Sequence, residues 1–85
     1  MKIFRYTVLD EDGIHARPAG ALVKEAKKFP CDITITKGDR TVDAKKLFAL
    51  MSLVVKKDDT VVVEAEGEQE EQAIVALKAI FEENL

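Results

Sequence analysis

The sequence predicts an α+β fold of two layers, four strands with three helices on one face, in the order β-α-β-β-α-β-α. Three observations predict it. Four segments alternate apolar and polar residues with the period of two that a half-buried strand shows. Three others repeat apolar residues at spacings of three and four, the stripe of an amphipathic helix. Finally, a chain of 85 residues closes only one modest core, burying about 60–65% of its unfolded surface. One domain spanning residues 1–85 is expected, with any active group at its surface and within reach of a second protein.

Taken in order, Lys2 to Leu9 reads as a strand with Phe4, Tyr6 and Val8 on one face, and Asp10-Glu11-Asp12-Gly13 as a polar turn. Ala16 to Lys28 reads as a helix with Ala16, Ala19, Leu22, Val23 and Ala26 as its apolar stripe. Lys24, Lys27 and Lys28 load its C-terminal part, as the helix dipole favours, and Pro30 ends it. Asp32 to Thr36 is a strand with Ile33 and Ile35 inward. Lys37-Gly38-Asp39 turns the chain, and Arg40 to Asp43 returns as a short strand. In Lys46 to Val54, Leu47, Leu50, Met51 and Val54 fit helical spacing, while Phe48 falls off that stripe, which suggests exposure. After the Asp58-Asp59 turn, Thr60 to Ala65 is a β-branched strand with Val61, Val63 and Ala65 facing one way. Gly67 breaks it. Glu68 to Phe81 is the last helix, with a stripe of Ala73, Ile74, Leu77, Ile80 and Phe81 and an acidic first turn.

Composition removes several functions. The chain has no Trp, five Phe and Tyr residues together and a net charge of −3. Base-stacking platforms and general nucleic-acid affinity are therefore not expected. No apolar run approaches the ~18 residues of a membrane span, and no signal-peptide stretch opens the chain. A cytoplasmic location and no membrane insertion are the expectation. Cys31 is alone, so no internal disulfide forms, and the expectation is a buried, inert thiol. One Cys with one His falls short of the four ligands of structural zinc; no metal and no cofactor are expected. Charge is uneven. Residues 1–57 hold twelve basic and seven acidic groups, a balance of +5, and residues 58–85 hold one basic and nine acidic, a balance of −8. Solvated faces account for this equally well as a basic surface that steers acidic partners.

The chemistry lies in Gly13-Ile14-His15-Ala16-Arg17-Pro18-Ala19, where strand and turn give way to helix. His15, the only histidine, precedes the first helical residue. The amides of a first helical turn lack partners within the helix, so those of Ala16 and Arg17 can point outward. Pro18 is tolerated there because it has no N–H and a preset φ. A helix start with free amides receives phosphate, and the Arg17 guanidinium matches phosphate oxygens. The same positive surroundings favour the neutral, nucleophilic imidazole. A lone histidine near a turn is otherwise an ordinary loop residue. The segment by itself supports a phosphoryl acceptor without requiring one.

That segment resembles the active-site signature of HPr, the histidine-containing phosphocarrier family of the bacterial phosphoenolpyruvate:sugar phosphotransferase system. Ala44-Lys45, Leu47-Phe48 and Met51-Ser52-Leu53 resemble the family's second motif, and Ala65-Glu66-Gly67 the end of its fourth strand. The likeness spans essentially all 85 residues. It implies a four-stranded antiparallel sheet in an open-faced sandwich. It implies a phosphoryl carrier that is not itself an enzyme, accepting at Nδ1 of His15 from phosphorylated enzyme I and passing the group to IIA units of sugar permeases. Catalytic residues are then His15 and Arg17, with phosphate bound by Ala16 and Arg17. The partner-docking patch is Leu47, Phe48 and Met51, rimmed by Lys24, Lys27 and Lys45. A monomer is expected. A dedicated or nitrogen-regulatory branch with the same chemistry, or a regulatory binding module, are the alternatives.

The chain departs from that pattern at four places. Lys46 stands where many relatives have a regulatory serine, so no regulatory hydroxyl is expected there, and a cation at a helix start is unfavourable. Val54 stands where relatives often have glycine. Gly20 lies inside the first helix. Asp12 lies near His15, where relatives tend to have serine or asparagine, and its carboxylate opposes Arg17.

Overall fold

The computed structural model describes residues 1–85. Its elements follow the predicted order: β1 (Lys2–Thr7), α1 (Ala16–Ala26), β2 (Asp32–Lys37), β3 (Arg40–Asp43), α2 (Leu47–Met51), β4 (Thr60–Glu66) and α3 (Glu70–Asn84). The strands form one antiparallel sheet in the order β1-β4-β2-β3. The register aligns the apolar rows: Phe4 lies opposite Val63, Tyr6 opposite Val61, and Ile35 opposite Val63 on the other side. Alternation thus puts Ile33, Ile35, Val61, Val63 and Ala65 in the core. The helices cover that face. Ala19, Leu22, Val23 and Ala26 of α1, Leu50 of α2, and Ala73, Leu77 and Phe81 of α3 meet it. Phe81 takes Phe4 edge-on at 5.5 Å between ring centroids and Tyr6 at 5.2 Å, arrangements that aromatic quadrupoles favour. Cys31 is buried and unpaired. No helix is long and apolar enough to cross a membrane.

The differences from expectation lie at element ends. β1 stops at Thr7 because the next donors are captured elsewhere: the amides of Leu9 and Asp10 both donate to the Leu85 carbonyl, at 2.6 and 3.0 Å. Ala16, expected in the α1 stripe, is exposed at the first helical position, and Pro18 is buried instead. α2 ends at Met51, and Val54 lies beyond it at φ +52°, the left-handed region that glycine adopts without cost. α3 starts two residues late, after Gln69 at φ +66°, leaving Glu68 outside it. It also runs past Phe81 to Asn84 and carries Leu85 into the core.

The segment between α2 and β4 is braced from several sides. Lys37 Nζ donates to the Val54 carbonyl at 2.7 Å and pairs with Asp59 Oδ2 at 3.0 Å, and the same carboxylate oxygen accepts the Lys56 amide at 2.9 Å. The bond from the Lys56 amide, with Lys37 beside it, holds the Asp59 carboxyl below its ordinary range. A carboxyl lowered on folding contributes stability above its unfolded value, and that contribution fades as pH falls through the lowered folded value. Asp59→Asn is therefore expected to be less stable than the parent near neutral pH, with the difference closing in the acid range below about pH 4. Urea unfolding across that range measures it. A difference of constant size at every pH would show that the charge of Asp59 is not what braces the loop.

Candidate functional site

The segment carrying His15 is fixed before any side chain is considered. The Val8 amide donates to the Asp59 carbonyl at 2.9 Å, the Asp58 amide to the Val8 carbonyl at 2.8 Å, and the Ile14 amide to the Val55 carbonyl at 3.0 Å. Residues 8–14 are thus laced to residues 55–59. Gly13 sits at φ +64°, and a Cβ built on it would fall on the Val55 carbonyl oxygen and within 2.8 Å of Lys56 Cα. Only glycine fits both that conformation and that approach. Ile14 then drops its side chain into the core, 6% exposed, and turns the next residue outward.

His15 follows as the N-cap of α1, with extended backbone at φ −95°, ψ −173°. Its carbonyl accepts the Ala19 amide at 3.0 Å. Its half-buried imidazole makes no capping hydrogen bond. No backbone carbonyl accepts from the amides of Ala16 or Arg17, and Pro18 has none to offer. The first turn of α1 therefore presents two unpartnered N–H donors beside an uncommitted ring, an anion-receiving arrangement. Arg17 is exposed and makes no ion pair or hydrogen bond, leaving all its donors available.

An acidic neighbour stands against this. Asp10, Asp12 and His15 each bring one ligand-type atom within 4.8 Å of the other two. Asp10 Oδ1 accepts the Asp12 amide at 2.8 Å, an Asx turn that shapes the approach to His15. Three donors of this kind fall short of a closed structural zinc site. The free amides next to them draw anions rather than cations.

The residues expected to dock partners fall into two sets. Phe48 is 85% exposed, Leu47 lies at the edge of exposure, and Met51 is half-buried against the core. Lys24 and Lys27 are exposed with no acidic partner, and α1 packs beside α2. Lys45 differs: its ammonium donates to the Phe29 and Cys31 carbonyls at 2.8 Å each, tying the end of α1 to the approach to α2. It serves as an internal brace rather than a free cation on a rim. Arg40 acts similarly on the far side, donating to the Ser52 carbonyl at 2.7 Å and to its hydroxyl at 3.1 Å. Lys46 is the N-cap of α2 and supplies no side-chain cap. Sequence reasoning missed Asp10 and Leu85. The Asp-x-Asp spacing was a signal for the first, and none marked the second.

Comparison with known proteins gives concordant results. A family model described as the phosphorylation site of the HPr component of the phosphotransferase system matches residues 3–83. The phosphocarrier protein HPr of Haemophilus influenzae is 40% identical over 74 residues, 87% of each chain. The crystal structure of HPr-C-His from Thermoanaerobacter tengcongensis superposes with a TM-score of 0.92 at 39% identity, covering 96% of this chain and 92% of the other. A structure described as an HPr dimer from the same organism matches with a TM-score of 0.78 at 38% identity, covering 98% and 95%.

The close approach at Gly13 is expected to be decisive for the site. Gly13→Ala adds a left-handed alanine and a clash with backbone, a loss of about 2–4 kcal/mol. Urea unfolding measures the loss, and hydrogen exchange at Ile14 reports whether its bond to Val55 opens. A variant as stable as the parent would show that the two segments are not held by this contact.

Proposed function

The chain belongs to the HPr family of phosphocarrier proteins, and from that premise we propose that His15 is its phosphoryl acceptor. The phosphoryl group comes from phosphorylated enzyme I and goes to the IIA units of sugar permeases. The observation that carries this reading is the pair of unpartnered amides, Ala16 and Arg17, next to a histidine ring with no other hydrogen bond.

In this mechanism Nδ1 of the neutral imidazole attacks phosphorus in line. The bond from phosphorus to the donor breaks as the bond to nitrogen forms, and the donor keeps the electron pair it shared. The amides of Ala16 and Arg17 face the charge on the transferred group and need no rearrangement, because the helix start already presents them, while the exposed Arg17 guanidinium is free to swing onto it. Delivery to an acceptor runs the same step in reverse. Binding must stay moderate, since a group held too firmly is not passed on.

Docking is assigned to the surface formed by α1 and α2. Phe48, Leu47 and Met51 supply apolar contact, and Lys24 and Lys27 the basic rim. An exposed aromatic within a polar rim fits a transient interface. Lys45 supports that surface from within. A monomer is the working form, with enzyme I and the IIA units meeting that one surface in turn, and the cytoplasm is its location.

One assay tests both assignments. Incubation with phosphoenolpyruvate and enzyme I is expected to give an acid-labile adduct of one phosphoryl mass, absent from His15→Ala. Adduct persisting in that variant would remove His15 from the reaction. In the same assay, Phe48→Ala is expected to raise the KM for phosphorylated enzyme I about tenfold, with thermal stability unchanged because the ring is exposed. Loss of stability without a change in KM would assign Phe48 to packing instead.

A further inference from the structure

We propose that the carboxylate of Asp12, aimed by the Asx turn on Asp10, destabilises the phosphorylated state of His15 and so raises the tendency of this chain to give its phosphoryl group away. The inference rests on the assignment of His15 as acceptor.

The geometry carries it. Asp10, Asp12 and His15 approach one another within 4.8 Å. Asp10 accepts the Asp12 amide at 2.8 Å, which fixes the turn, while the Asp12 carboxylate itself has no hydrogen bond or ion pair. The turn cannot relax easily. Its two ends are bound, the Asp10 amide to the Leu85 carbonyl and the Ile14 amide to the Val55 carbonyl, and the Gly13 amide donates back to the Asp10 carbonyl at 3.0 Å. An unphosphorylated ring carries no negative charge for that carboxylate to repel. A phosphorylated ring carries a dianion of the same sign, so the repulsion falls on one state only. Arg17 and the free amides act in the opposite direction on the same group. The difference between the two influences sets how readily the group leaves. Asp12 bonds to nothing that reacts and touches no substrate; it acts through charge alone.

Transfer between two copies of the chain reads this directly, because every other partner cancels. The bond from phosphorus to one His15 nitrogen breaks and the bond to another forms, with the phosphoprotein donor acting reversibly between them. Parent chain labelled with 15N and unlabelled Asp12→Asn are mixed in equal amounts with phosphoenolpyruvate short of both and a trace of the donor. Intact mass then gives the phosphorylated fraction of each. At low salt the variant is expected to hold roughly three to ten times more of the group than the parent. The excess should shrink as salt rises, since the carboxylate is exposed to solvent. Asp12→Glu should restore a near-equal division. Equal division between parent and Asp12→Asn at low salt would overturn the inference while leaving His15 as acceptor. An excess that ignores salt, or persists in Asp12→Glu, would show altered turn geometry in place of charge and would equally overturn it. Labelling of neither chain would remove the acceptor assignment and this inference with it.

Discussion

The functional end of this molecule depends on one close approach, the backbone of Gly13 against the carbonyl of Val55. A side chain at residue 13 would meet that oxygen, and its φ of +64° suits glycine alone. Because the two strands of backbone touch, the Ile14 amide reaches the Val55 carbonyl, the Ile14 side chain enters the core, and His15 is left at the mouth of α1. The partner segment is held in turn by Lys37, which grips the Val54 carbonyl and the Asp59 carboxylate. Precision at the histidine is thus supplied by backbone contacts and by a lysine at the end of β2.

The site itself is a balance of opposing charges. Free amides and an unpaired guanidinium offer donors to an anion, and two carboxylates within 4.8 Å of the ring set negative charge against it. A carrier gains from such opposition. Attraction alone makes a good acceptor and a poor donor, whereas a group bound with moderate strength moves in either direction at little cost. The same economy shows at the surface proposed for docking. Phe48 is left almost fully exposed on a helix of five residues, held in place through Leu50 in the core and through Arg40 at the helix end.

What the sequence made legible was whatever a regular period or a fixed backbone demand writes into it. The strands through Ile33 and Ile35 and through Val61, Val63 and Ala65 read correctly, because alternation and burial are the same fact in a sheet with one covered face. The helix start at His15 read correctly because the switch from period two to period four, with Pro18 just inside, marks it. Phe48 read as exposed because it breaks its own stripe. Long-range backbone pairing left no such mark. The end of β1 is set by Leu85, at the far end of the chain, and nothing local announces it. Val54 fits the helical spacing of its neighbours, and nothing in that spacing marks its left-handed backbone at φ +52°. Lysines were read as surface charge, yet the ammonium of Lys45 is committed to two carbonyls. The direction a long flexible side chain takes depends on acceptors that only the folded chain assembles.

The amides of Ala16 and Arg17 can be watched directly. In a 1H–15N correlation spectrum recorded before and after phosphorylation, both amide protons should move strongly downfield and exchange more slowly with solvent, since a dianion on His15 gives each the acceptor it otherwise lacks. If the ring is phosphorylated and those two resonances stay where they were, the helix start does not receive the group, and its free amides have no part in the transfer.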